Sequence, residues 1–242
     1  MIYMGGKARI AKHILPIILK GRTKGQFYIE PFCGGCNTME HVRGDRIAND
    51  KNPYLIHMWR RLTEGWTPPT VIEREFYYSV RECWEYFSEK YPPELIGWVG
   101  FMGSYSGKFF GGYSGHAYKV SDRRRVRDYI GEAIKNTMNQ VDNLNGVHFL
   151  NQDYKDLVIP DKSIIYCDPP YKGTEGYQNS IDHKDFFDWC RDKVNQGHKV
   201  FVSEYEAPED FVPIWEMELK TTLSTGPAKK AHEKLFVHIL QN

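Results

Sequence analysis

Apolar and polar positions along this chain follow two alternating periods. Short β-branched and aromatic runs recur as "QFYIEPF" (26–32), "DRIAND" (45–50), "GVHFLNQD" (146–153), "SIIYCDPP" (163–170) and "HKVFVSEY" (198–205). Each reads as a strand bounded by turn residues. Between them lie segments with helical spacing, of which "HKDFFDWCRDKVNQG" (183–197) is the clearest, with Gly197 as its stop. Strands alternating with helices predict an α/β fold. "IWEMELKTTL" and "EKLFVHIL" read as a closing antiparallel pair.

The pattern changes between about Pro68 and Leu144. "REFYYSVRECWEYFSEK" is helical in period, and "GWVGFMGSYSGKFFGGYSGHAY" (97–118) then interleaves glycines with seven aromatic residues. After it, Val126, Ile130, Ile134, Met138, Val141 and Leu144 stand at helical spacing, which predicts a helix with Ser121 as N-cap. The expected organisation is a sheet domain made of residues 1–67 and 145–242, with a mostly helical insertion at 68–144.

At 242 residues the chain is long enough for one large domain carrying such an insertion. A net charge of only +1 means that a nucleic-acid partner would have to be met by a local basic patch. The clear cluster is "KVSDRRRVR" (119–127). Read as the first turns of a helix, Arg123, Arg124, Arg125 and Arg127 oppose the helix dipole, which suggests a use such as phosphate contact. The alternative is a solvated face in which Asp122 and Asp128 partly offset them. The run "HILPIILK" is too short to cross a bilayer and has no small-residue cleavage site, so neither a membrane span nor a signal peptide is expected. Five cysteines include Cys33 and Cys36, but no second ligand pair accompanies them. They read as reduced packing residues, with no metal expected and a cytosolic location.

Candidate chemistry collects at the strand ends. Glu30 and Pro31 end a strand and precede Gly34 and Gly35, which let the backbone approach a ligand outside the sheet. The spacing is not that of a pyrophosphate cradle. Asp50 ends the next strand and either accepts both hydroxyls of a ribose or caps the helix that follows. A nucleoside cofactor without phosphates fits these features. The corner "CDPPY" (167–171) fixes two acceptors close together, the Asp168 carboxylate and the Pro169 carbonyl, with the flat face of Tyr171 beside them and Pro170 stiffening the turn. A planar ring carrying an amino group fits that corner. The same four residues also make a serviceable tight turn.

In order, "YMGGK" (3–7), "EPFCGG" (30–35), "ANDKN" (48–52), the glycine and aromatic segment, "CDPPY" and "EKLF" (233–236) resemble the Dam-type, D12 class (α-group) N6-adenine DNA methyltransferases, some of which bacteriophages carry. The resemblance spans essentially the whole chain. It implies a Rossmann-like seven-stranded sheet, S-adenosylmethionine as cofactor and transfer of a methyl group to adenine N6 in double-stranded DNA. By position, Tyr3 and Lys7 correspond to contacts with the methionine part of the cofactor. Phe32, Gly34 and Gly35 correspond to the loop beneath it, Asp50 to the ribose carboxylate and Asp153 to a group near the cofactor adenine. Asp168, Pro169 and Tyr171 correspond to the groups that hold the target base. The insertion then becomes the target-recognition part, with Tyr105, Lys108, Phe109 and the arginines facing DNA in a cytoplasmic monomer. Departures include Gln152-Asp153-Tyr154 where the family often has "GDF", and Met102 and Gly111 where asparagines are common. Other readings are a non-catalytic DNA-binding protein that keeps the fold, and methylation of RNA or of a protein glutamine.

Overall fold

The structure is a computed structural model and describes residues 1–119, 122–171, 181–220 and 230–241. Its first half contains α1 (Ala11–Ile18), β1 (Tyr28–Glu30), β2 (Arg46–Asn49), α2 (Pro53–Thr63), α3 (Arg74–Glu85) and α4 (Pro93–Met102). A hairpin of β3 (His116–Lys119) and β4 (Asp122–Asp128) leads into α5 (Tyr129–Val141). The second half holds β5 (His148–Leu150), β6 (Ile164–Cys167), α6 (His183–Asn195), β7 (Lys199–Glu204), β8 (Phe211–Lys220) and β9 (Lys230–His238).

Seven strands form one sheet in the order β5-β2-β1-β6-β7-β9-β8. The first five are parallel, whereas β9 runs antiparallel to both of its neighbours. This is the α/β architecture that the alternating pattern predicts and the Rossmann-like seven-stranded sheet that the resemblance implies, and all five sequence-predicted strands take part. The sheet is covered on both faces, so the pleat sorts consecutive residues into different layers. Ile164 and Tyr166 pack into one apolar layer with α1, α2 and α5, while Ile165 and Cys167 pack into the other with Phe186, Phe187 and Cys190 of α6. That is why "IIYC" is apolar throughout. The chain builds outward from β1 through β2 to β5, then returns to build β6 and β7 on the other side. The order therefore reverses between β1 and β6, and a crevice opens there beyond the strand ends.

Three features of the insertion stand out. First, it shares its core with the sheet. Ile72, Tyr77, Val80, Ile96, Trp98 and Val99 belong to the same buried cluster as Tyr28 and Ile164 of the sheet. Second, Arg123, Arg124 and Arg127 lie on the strand β4, not in the opening turns of a helix, and pairs such as Tyr118 with Val126 define the hairpin. The helix begins at Tyr129 because Asp128 caps it, its carboxylate accepting the Gly131 N–H at 2.8 Å. A Cβ at Gly131 would lie 2.2 Å from that carboxylate, so a cap this tight requires glycine three residues on. The dipole penalty inferred for the arginines therefore does not arise. Ser121, expected to be the cap, lies outside the described residues. Third, the aromatic segment is mostly interior. Trp98, Phe101 and Phe110 are buried, Phe109 and Tyr113 pack against the core, and Tyr105 is exposed. Its glycines serve close packing: a Cβ on Gly100 would meet the Phe109 ring at 2.3 Å.

Gly97 shows how tightly α4 is seated on α2. A Cβ there would stand 2.2 Å from the Tyr54 carbonyl oxygen, a backbone atom that cannot swing aside. Gly97→Ala is expected to separate the two helices and to destabilise the protein by about 1–3 kcal/mol. Thermal or denaturant unfolding of the variant measures this directly.

Candidate active site

The carboxyl ends of β1, β2, β6 and β7 open into one cleft of about 980 Å³. The cleft is lined by Tyr3, Lys7, Glu30, Pro31, Phe32, Gly34, Gly35, Asp50, Asp153 and the whole Asp168–Tyr171 corner. Residues far apart in sequence thus meet at the point where the strand order reverses.

On the β1–β2 side the backbone forms a glycine cradle. Gly34 is left-handed at φ +46°, and a Cβ on Gly34 or Gly35 would each come within 2.7 Å of Tyr3. Tyr3 is held in turn against Phe101 at 5.7 Å. Asp50 ties the cradle to α2: one carboxylate oxygen accepts the Gly34 N–H at 3.0 Å and the other accepts the Asn52 N–H at 2.9 Å. The cap of α2 is Asn52, not Asp50, since its side chain accepts the Leu55 N–H. Burial raises the Asp50 pKa, and the two N–H groups oppose that rise. Each oxygen retains a second acceptor position.

Asn49 has no counterpart among the residues singled out from sequence. It is fully buried, donates to the Pro31 carbonyl at 2.9 Å and the Gln152 carbonyl at 3.1 Å, and accepts the Gln152 N–H at 3.0 Å. It locks the ends of β1, β2 and β5 together, and so sets the distance between the cradle and Asp153. Asp153 accepts the Lys155 N–H and pairs with Lys51 at 3.1 Å. Burial works against its charge, but these partners outweigh it and hold the carboxyl below the usual range. Phe32 leans on Tyr154 at 5.2 Å.

Glu30 lies beneath the cleft, almost wholly buried. One of its oxygens accepts Tyr28 OH at 2.8 Å and Thr38 OH at 2.6 Å. Burial pushes its pKa up to about 8 against those two hydrogen bonds, with Asp168 nearby adding to the rise. At neutral pH it is therefore a buried neutral acid.

The corner after β6 is the most charged part of the cleft. The Asp168 carboxylate receives Lys7 Nζ at 2.8 Å, and the same ammonium donates to the Gly5 carbonyl at 3.0 Å. It stands 4.6 Å from the centre of the Tyr171 ring and 3.9 Å from Glu233. Glu233 also accepts Tyr171 OH at 2.7 Å. It reaches this corner because β9 enters the sheet where β7 leaves it, pairing Lys234 with Glu204. Tyr205, just past β7, meets the Tyr171 ring edge-on at 4.6 Å. Burial raises the Asp168 pKa to about 6, with Lys7 pulling against that rise. Burial also works against the Lys7 charge, but Asp168 and Glu233 prevail and hold its pKa above the ordinary value. The corner can therefore present an anionic acceptor at neutral pH beside a fixed aromatic face.

The residues expected to face DNA separate. Lys108 and Phe109 line the cleft, Lys108 exposed and Phe109 wedged between Tyr54 and Trp84. Tyr105 is exposed outside the cleft, against Tyr129. Arg127 is exposed, pairs with Glu132 at 2.7 Å and covers the Tyr129 ring at 4.7 Å. Of Arg123 and Arg124 the structure gives the strand backbone. Cys33 and Cys36 are buried thiols whose pKa burial pushes up. Among the described residues no group of three or more His, Cys, Asp or Glu side chains converges as metal ligands, and no helix is long and apolar enough to cross a membrane.

The state of Glu30 makes stability depend on pH. As pH rises past the ordinary carboxylate range, the unfolded chain ionises at this position while the folded chain does not until about pH 8. Stability is therefore lost between those limits. Glu30→Gln is expected to melt progressively higher than wild type from pH 5 to pH 8, by about 5 °C or more at the upper end, with the gap closing at pH 4.5. Paired thermal melts across that range check the sign.

A comparison of the sequence with known protein families bears on what this chain is. The family model described as D12 class N6 adenine-specific DNA methyltransferase aligns with residues 3–209, which is most of the chain and includes the whole of the cleft except Glu233. The chain belongs to this family and is an adenine-specific DNA methyltransferase.

Proposed function

We propose that the enzyme transfers the methyl group of S-adenosylmethionine to N6 of an adenine swung out of duplex DNA, with the Asp168–Tyr171 corner as the socket for that base. The observation that carries this reading is the convergence of an anionic acceptor, an aromatic face and a glycine cradle in one cleft. The residues fit a nucleoside cofactor without phosphates. Gly34 and Gly35 leave backbone exposed where a Cβ would clash with Tyr3, and Asp50 keeps acceptor positions for ribose hydroxyls. When bound, the cofactor supplies an electrophilic methyl on a positively charged sulfur.

The remaining work falls to the chain. A target adenine cannot be reached within the stack, so extrusion into a pocket is required, at a cost of a few kcal/mol. Asp168 and the Pro169 carbonyl accept the two amine hydrogens, which turns the nitrogen lone pair out of the ring plane and aims it. The Tyr171 ring holds the base plane, and Glu233 fixes that ring through its hydroxyl. On accepting the methyl group the amine would become positively charged. The Asp168 carboxylate stabilises that charge and receives the surplus proton. Tyr105, Lys108 and the β3–β4 hairpin form the face offered to the duplex, with Arg123 and Arg124 carried on β4 as phosphate contacts. In this reading residues 68–144 are the target-recognition part and the enzyme works as a cytoplasmic monomer.

Sequencing that detects N6-methyladenine in DNA from cells producing the chain tests this reading, with modification expected at one recurring sequence. Unmodified DNA from cells containing folded protein would refute it. Asp50→Ala is expected to weaken S-adenosylmethionine binding by at least about tenfold in calorimetry, in keeping with loss of hydrogen bonds made by a charged acceptor. Because Asp168 acts as an anion, kcat/KM is expected to fall as pH drops through about 6, and to level off above it. Initial rates between pH 5 and pH 8 give that limb.

A further inference from the structure

In this structure Lys7 makes one of the two hydrogen bonds that the target amine is proposed to make, the one to Asp168. Its nitrogen donates to Asp168 at 2.8 Å and lies 4.6 Å from the centre of the Tyr171 ring. An ammonium and an exocyclic amine are both nitrogen donors, and the acceptor is the same carboxylate. Lys7 is 7% exposed, so it has been drawn into the corner instead of extending to water. With Lys7 on its Oδ1, Asp168 holds a cation that opposes the positive charge developing on the amine.

Glu233 resolves the conflict. Its nearer oxygen stands 3.9 Å from Lys7 Nζ, beyond hydrogen-bond length, and is otherwise engaged by Tyr171 OH at 2.7 Å. A shift of about 1 Å would bring the ammonium into hydrogen-bond range of this second carboxylate. The move keeps the lysine paired throughout, which matters because an unpaired buried charge is strongly destabilising. Resting on the proposed role of Asp168, we infer that Lys7 is a placeholder for the target amine, and that Glu233 takes over its ammonium when the base enters. Glu233 is then a positioning residue with two tasks, receiving Lys7 and anchoring Tyr171.

The two tasks are separable by a mutant cycle. Single-turnover methyl transfer is measured at pH 8 for wild type, Lys7→Met, Glu233→Gln and the double variant, on duplex DNA bearing the site the wild type modifies. Thermal melting of each variant serves as the control for folding. With Lys7 present, Glu233→Gln strands the ammonium on Asp168 and is expected to slow transfer at least tenfold. In the Lys7→Met background the same change is expected to cost less than threefold. An equal factor in both backgrounds would reduce Glu233 to an anchor for Tyr171 and overturn the inference. Lys7→Gln repeats the cycle if the methionine variant does not fold. Absence of transfer by wild type would refute the proposed socket instead, so the two failures are distinguishable.

Discussion

A carboxylate taken out of water must be paired or give up its charge, and the cleft of this enzyme is organised around that rule. Two acids lie at the bottom of the crevice between β1 and β6 and are settled in opposite ways. Glu30, met by two hydroxyl donors and no cation, is held neutral to about pH 8. Asp168, met by Lys7, titrates near pH 6 and is an anion at neutrality. Neutrality at one position lowers the electrostatic cost of ionising the other. A hydrogen-bond acceptor within the cleft is thereby sustained by a neighbour that carries no charge.

The fold makes this arrangement possible at small cost. Parallel strands buried on both faces end together, so a carboxylate placed just after β6 reaches the crevice without itself lying in a strand. The antiparallel entry of β9 then carries Glu233 to the same end from the far side of the chain. Asn49 ties the neighbouring strand ends and fixes the width of the opening. Strand direction, not sequence proximity, selects the members of the site.

Much of this was legible in the sequence. The five parallel strands announce themselves by apolar runs, and the ordered motifs at their ends mark Glu30, Asp50 and Asp168. The missing part is long-range or depends on competing local signals. Nothing in the order of residues says that Lys7 pairs with Asp168, because that contact follows from the packing of the segment before α1. Glu233 stood out as part of "EKLF", yet its partners depend on the register of β9. The helix onset was misplaced because Val126 and Ile130 are compatible with helical spacing, while Asp128 and Gly131 form a tighter cap than Ser121 suggested. The packing of the aromatic segment is not legible either, because its glycines let rings approach the backbone within the core.

The central claim is that Asp168 is the group that orients the target amine. Its most direct measurement is the single-turnover transfer of labelled methyl from S-adenosylmethionine to duplex DNA by Asp168→Ala, alongside calorimetric binding of the cofactor. Transfer is expected to fall by at least about 100-fold while cofactor affinity stays within a few-fold of wild type. Transfer at a rate near that of wild type would contradict the account.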